Sequence, residues 1–287
     1  MLDFKNFHDR VPAMNPTVDG VRPQADSELF DEALCVARQS LYRFAALTLI
    51  DPRRGTWEHL SHPATARLAQ DACALLRGEP AAEVPSLGLG ERPLADLDLD
   101  PVLAWLPANA EALNAAYEQT FGLLVSSNCP PYETEYINSK FTFQRSQGLA
   151  DIAGFYSAFG LEPSTHYPER HDHLALELEF MAFLLGLERM AAEGDSADRV
   201  ERIAICRDAQ RKFLAEHLIW WVPTFARLLS KQDPGGFYDA VSQFLAALMT
   251  AERALAGIPV PLAQVTPSTV ERPEECSGCL LNVESEL

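Results

Sequence analysis

No stretch of this chain approaches the ~20 consecutive apolar residues that a helix needs to cross a bilayer; the nearest is the short run Leu218-Ile219-Trp220-Trp221-Val222. Met1 to Arg10 contain no apolar core of signal-peptide length and no cleavage pattern, so export is not indicated and the expectation is a soluble, cytoplasmic protein. Basic residues are scarce, 23 against 41 acidic, for a formal net charge of -18. A field of that sign repels a phosphate backbone, which argues against nucleic acid as a partner. It complements cationic peptides, although an acidic balance is also a common solubility device. The six cysteines, at 35, 73, 129, 206, 276 and 279, are mostly scattered singly through helical patterns, which suits reduced thiols better than a disulfide framework.

The patterns that usually carry catalysis are missing too. There is no Walker phosphate loop, no Gly-x-Gly-x-x-Gly and no His-Glu-x-x-His. None of the seven histidines has a glutamate three residues before it, which excludes the Glu-x-x-His pairs of di-iron bundles. His59 and His62 sit at a junction with Pro63 and lack a third ligand nearby, so surface histidines are the better reading. Cys276 and Cys279 form a single Cys-x-x-Cys, half a zinc site at most and only a weak metal candidate. No cofactor is called for.

What is present is helical. With 287 residues and 47% hydrophobic composition the chain can bury a sizeable core. Apolar residues recur at helical spacing over 28–50, 57–76, from Asp100-Pro101 through Leu124, 143–159, 173–190, 197–229 and 234–256. Sustained period-2 alternation and fixed-period repeats are both absent. The reading is an all-α, compact multi-helix bundle of about eight to ten helices in two helical halves. It comprises a loose arm (1–26), an N-terminal half (27–161), a Pro-containing hinge (162–172), a C-terminal half (173–260) and a flexible tail (261–287). Gly78 to Pro93, rich in Gly and Pro, reads as a long exposed loop and a candidate for mobility.

The hinge runs into His171-Asp172-His173 and then a long apolar helix carrying Glu177. On a helical wheel Glu177 shares its arc with Leu174, Met181 and Leu184, so it is expected to be paired or to line a pocket. Periodicity equally allows an N-cap by Asp172 followed by a solvated glutamate. His173 and Glu177 stand four apart on one face, ligand-compatible geometry that supports a second function class, a metal-dependent helical hydrolase using His171, His173 and Glu177. Without a visible further ligand, a structural or recognition role is favoured. A regulatory subunit held permanently by its partner is a third class.

Three blocks in order, Cys129-Pro-Pro-Tyr-Glu-Thr-Glu-Tyr136, Pro168-Glu-Arg-His-Asp-His-Leu-Ala-Leu-Glu-Leu-Glu-Phe-Met181 and Phe213-Leu-Ala-Glu-His-Leu-Ile-Trp-Trp-Val-Pro-Thr-Phe225, resemble the TorD family of redox-enzyme maturation chaperones. The similarity spans about residues 28 to 256; the arm and the Cys-x-x-Cys tail lie outside the usual pattern. The resemblance implies a cytoplasmic, all-helical chaperone without turnover. Its partner would be the apo catalytic subunit of a molybdenum enzyme, commonly bound through a twin-arginine signal peptide until the cofactor is inserted. Asp172 and His173 match the family's hinge pair implicated in peptide binding, Tyr132, Glu133 and Tyr136 match its Pro-x-Tyr-Glu block, and Glu177, Phe180 and Met181 match the helix behind. Such capture needs carboxylates for arginines, for which Glu133, Glu135 and Asp172 are candidates, and an apolar groove, for which Leu123, Tyr132, Tyr136, Phe180 and Met181 are candidates. For each aromatic or methionine in a helix, a core position is the more frequent alternative.

Overall fold

Asp31 opens the first helix, its carboxylate accepting from the Leu34 N–H at 3.0 Å, and the chain then runs helically from Glu32 to Leu49 (α1). The computed structural model describes residues 2–4, 30–84, 86–122, 128–137, 142–194 and 197–261. Among them, nine further α-helices follow: α2 (Thr56–Leu60), α3 (Pro63–Arg77), α4 (Asp100–Ala104), α5 (Ala110–Phe121), α6 (Thr142–Ala158), α7 (Leu174–Glu193), α8 (Arg199–Phe213), α9 (Val222–Gln232) and α10 (Phe237–Leu255). The all-α expectation holds. No helix among the described residues is long and apolar enough to cross a membrane.

Two helices are apolar nearly all round and therefore lie inside the protein. Helix α7 packs between α1 and α8, and α10 packs on α9, α4 and the turns at Pro80–Ala82 and Leu94–Asp96. One continuous core links residues on both sides of segment 162–172, from Leu41, Tyr42 and Phe44 of α1 through Phe180 and Leu184 of α7 to Phe244 and Leu248 of α10. Buried charge is compensated in place. Glu252, fully buried on α10, accepts from two guanidinium nitrogens of Arg38 on α1, at 2.8 and 2.7 Å, and from the Tyr42 hydroxyl at 2.9 Å.

Several boundaries differ from the periodic reading, each for a backbone reason. Proline lacks an N–H and tolerates only the first turn of a helix. Thus the expected 57–76 helix breaks before Pro63, where the His62 Nδ1 caps α3 by accepting from Ala64 N at 3.2 Å. The helix expected from Asp100 onward likewise stops at Ala104; α5 restarts after Asn109, whose side chain accepts from Ala112 N, and ends at Gly122 with φ +74°. The 197–229 stretch divides into α8, a π-helical turn at Leu214–Leu218 and α9, with Pro223 in the first turn of α9. Helix α10 starts at Phe237, past Pro234.

Two segments read as irregular are anchored. In 78–93, Arg253 of α10 holds the buried Glu91 carboxylate and the Ser86 carbonyl, since a guanidinium taken out of water needs such partners. Leu87 and Leu89 stay exposed, so the loop is half solvated and half pinned. At the N-terminus, Leu2–Phe4 (β1) pairs antiparallel with Leu161–Pro163 (β2), and Leu2 N donates to Glu179 at 3.0 Å. Three residues are too few to show periodicity, which is why neither strand is visible in the sequence. The rest of the arm, Leu123, and the tail with Cys276 and Cys279 lie outside the described residues.

Candidate functional site

Consecutive prolines keep Pro130-Pro131-Tyr132 extended. That extended strap lies across the start of α7: Glu133 N donates to Asp172 O and Leu174 N to Pro131 O, both at 2.9 Å, forming an isolated antiparallel bridge between Tyr132 and His173. The Pro-x-Tyr-Glu block and the hinge pair, distant in sequence, are thereby one structure. The cap of α7 is His173, not Asp172. Its Nδ1 accepts from Ala175 N at 3.1 Å, and burial pushes its pKa down to about 4, keeping the imidazole neutral as an acceptor must be. Its ring meets that of Tyr132 edge to face at 5.1 Å.

Asp172 is instead the hub of a charge cluster. Fully buried, it accepts from Thr134 N (3.1 Å), Thr134 Oγ1 (2.7 Å), Arg170 Nε (3.0 Å) and the second Arg170 guanidinium nitrogen (2.8 Å). Arg170 also donates to Glu135 at 3.1 Å and sits 4.3 Å over the Tyr132 ring. The other Glu135 oxygen takes Arg145 at 3.2 Å, and the Tyr132 hydroxyl donates to Glu169 at 3.2 Å. Two of the three carboxylates expected to meet foreign arginines, Glu135 and Asp172, are therefore paired with the chain's own.

Behind this cluster lies a second, drier one. Glu133 is buried and faces His217 of the π turn, whose Nδ1 is 3.1 and 3.3 Å from its two oxygens. Glu177 has no exposed surface and no hydrogen-bond partner at normal distance, although Glu133 stands beside it. Burial raises the pKa of both carboxyls; the charges of Glu133 and Asp172 push Glu177 well up, while His217 pulls Glu133 back. Of the two, Glu177 is the carboxyl whose charge burial and its acidic neighbours disfavour more, since Glu133 has His217 beside it. The arc argument placed Glu177 inside the protein; it is confined beside another acid rather than solvated.

Of the nine residues singled out in the sequence, only Tyr132 and Glu135 are partly exposed. Glu133, Tyr136, Asp172, His173, Glu177, Phe180 and Met181 are buried. Tyr136 packs on Trp221 with ring centroids 5.0 Å apart, and Phe180 on Phe213 at 4.7 Å, so these aromatics belong to the core. His171, His173 and Glu177 do not converge as ligands, because the His173 Nδ1 is spent on its cap and Glu177 faces Glu133. Among the described residues, the His/Cys/Asp/Glu trio whose ligand atoms lie within 4.8 Å of one another is Asp151, Glu216 and His217. Sequence reasoning missed Arg170, Thr134 and His217 as site members, although Arg170 lies in the hinge motif and His217 in the third block.

The apolar cleft lies farther along α7, against α1. Its volume is about 850 Å³, and Leu2, Leu47, Ala182, Phe183, Leu187 and Met190 supply apolar wall, with Arg43, Glu179 and Arg189 among its polar groups. Met190 is 52% exposed, an adaptable thioether at the surface. A Cβ at Gly186 would stand 2.6 Å from Gln39 Nε2, so the side-chain amide that donates to Ala182 O would have to shift.

Comparison with known proteins places these features. The family model described as nitrate reductase delta subunit matches residues 93–227, which contain the strap, the hinge, all of α7 and the π turn. A chaperone protein TorD of Aeromonas salmonicida is 31% identical over 143 residues, 50% of this chain and 60% of that protein. One from Vibrio cholerae is 28% identical over 97 residues, covering 34% of this chain and 41% of the relative. The chain thus spans about half the length of these TorD relatives. It covers 77% of a selenate reductase assembly chaperone protein of Thauera selenatis, at 33% identity over 163 residues and 57% of this chain. No solved structure matches it. With that relative covered over most of its length and the three sequence blocks set side by side in space, the chain belongs to the TorD family of redox-enzyme maturation chaperones.

Proposed function

We propose that this protein is a cytoplasmic, client-specific chaperone without turnover. It binds the N-terminal region of a molybdenum-containing oxidoreductase, its twin-arginine signal peptide included, and holds the apo catalytic subunit until the cofactor is inserted. The observation that carries the reading is the pairing, along one helix, of an acid-rich knot at the start of α7 with an apolar cleft beside its later turns. An arginine pair followed by an apolar stretch has the complementary pattern. The net charge of -18 favours approach of such a cationic segment.

Burial divides the labour among the residues. Tyr132 and Glu135 can reach a client, whereas Asp172, His173, Glu133 and Glu177 hold the strap against α7. A client guanidinium enters by exchanging with Arg170 or Arg145, so that Glu135 stays neutralised before and after binding. Phe183, Leu187 and Met190 then receive the apolar segment.

Calorimetric titration with a synthetic peptide carrying Arg-Arg and an apolar stretch tests this. Binding is expected, weaker at high salt, weaker in Glu135→Ala and Tyr132→Ala, and weaker in Met190→Asp. Absence of affinity for any client N-terminal peptide at low salt and high protein concentration overturns peptide capture. Co-purification with an apo molybdenum enzyme, but not with the cofactor-loaded one, is expected in cells; constitutive association with mature enzyme would instead indicate a permanent subunit.

A further inference from the structure

The π-helical turn does more than bend the chain between α8 and α9. Its i to i+5 bond, Ile219 N to Leu214 O at 3.1 Å, marks a wider turn of the kind often found at functional sites, and it carries Glu216 and His217 side by side. Both face Asp151 of α6. His217 is 3% exposed, and its two ring nitrogens have different fates. Nδ1 lies against the Glu133 carboxylate, which can only accept, so a neutral ring would carry its proton on Nδ1 and turn the lone pair of Nε2 outward. That Nε2 is buried, has no hydrogen-bond partner, and points at Asp151 Oδ2 3.5 Å away.

A lone pair facing a carboxylate at this distance is repulsive; a proton on Nε2 or a metal cation between the two atoms relieves it. Ligand atoms arranged tetrahedrally at ~2.0–2.2 Å around an ion are separated by roughly 3.3–3.6 Å, which matches the spacing of Nε2 and Oδ2. Glu216 contributes the third donor, all three ligand atoms lying within 4.8 Å of one another. Asp151 is 60% exposed and Glu216 is exposed, so both can swing inward by the small amount needed, and solvent can fill a fourth position. Glu133 behind the imidazole supplies the outer carboxylate that metal-bound histidines usually have.

We propose that Asp151, Glu216 and His217 form a binding site for a divalent transition-metal ion of the zinc class, open to solvent and clamping α6 to the π turn. The imidazole selects against calcium and magnesium, which take oxygen ligands. The site is separate from the peptide-capture residues except through Glu133.

The test uses the full chain with Cys276→Ser and Cys279→Ser, so that tail thiols cannot bind metal. Zinc is titrated calorimetrically and cobalt by its visible absorption, near neutral pH. Saturable binding of one equivalent is expected, with a rise in melting temperature on adding zinc and no displacement by excess magnesium. Asp151→Asn with Glu216→Gln, both at exposed positions, should weaken zinc binding by roughly tenfold or more while leaving the metal-free melting temperature unchanged. His217→Gln should abolish it, and the exposed double variant decides the matter should His217→Gln fail to fold. No saturable binding of zinc or cobalt, equal affinity in the double variant, or preference for magnesium overturns the assignment; the first of these would leave a protonated His217 bridging Glu133 and Asp151 as the resolution of the contact.

Discussion

Replacing Glu177 with glutamine should stabilise the protein, and increasingly so as the pH rises. Glu177 is fully buried, lacks a hydrogen-bond partner and lies beside Glu133, so its pKa in the fold is well above the ordinary 4.5. The sign follows from proton counting. Below pH 4.5 the carboxyl is protonated in folded and unfolded chains alike and contributes nothing to the difference. Above it the unfolded chain releases the proton while the folded one retains it, and folding loses about 1.4 kcal/mol per pH unit until the folded-state pKa is passed. Glutamine has the shape of the neutral acid and no proton to lose. The two proteins should therefore melt close together near pH 4.5. For a chain of this size the gap should widen by roughly 3–6 °C per pH unit above that, from about 2–4 °C per kcal/mol. Thermal unfolding at intervals from pH 5 to 8 measures it. A gap that is independent of pH, or a glutamine variant that is less stable at pH 8 than the parent, would show that Glu177 is ionised and needed as a charge, and would refute the upward shift of its pKa.

His173 has the opposite dependence. Its pKa falls from 6.5 to about 4, so stability is fully present above pH 6.5 and lost as the pH drops towards 4, by up to about 3 kcal/mol for those roughly 2.5 units. His173→Asn, which keeps a capping acceptor, should flatten that acid limb in urea unfolding measured at pH 4 to 7. Asp172→Ala leaves the Thr134 hydroxyl and N–H unpaired and Arg170 short of two bonds; because Arg170 is 36% exposed and can re-solvate, a loss of about 2–3 kcal/mol is expected in chemical denaturation, with Asp172→Asn costing less. Glu252→Ala strands Arg38 and the Tyr42 hydroxyl between α1 and α10 and should cost about 3–5 kcal/mol, read as a lower denaturation midpoint; a change below 1 kcal/mol would mean that water replaces the carboxylate there.

Sequence alone determined the helical class, and it did so through local rules. Apolar residues at 3.6-residue spacing, Asp31 before α1, and Gly160 and Gly257 at positive φ after helices act within a few residues of where they stand. It also put Glu177 in an apolar arc, while leaving a solvated position open, and brought out the three blocks that meet around α7. What it could not determine was which partner each polar group finds. Asp172 reads as a cap or as a ligand for a foreign arginine until Arg170 and Thr134 are seen around it. Glu177 reads as paired until Glu133 is found beside it, and His217 is one residue in an apolar run until the π turn aims it between Glu133 and Asp151. The cleft depends on how α1 and α7 lie together, with Leu2 on its wall from the far end of the chain. Periodicity reports which side of a helix is apolar, because that follows from the geometry of a single turn; burial, tautomer and charge state depend on contacts between residues far apart in sequence, and only the packed structure brings those together.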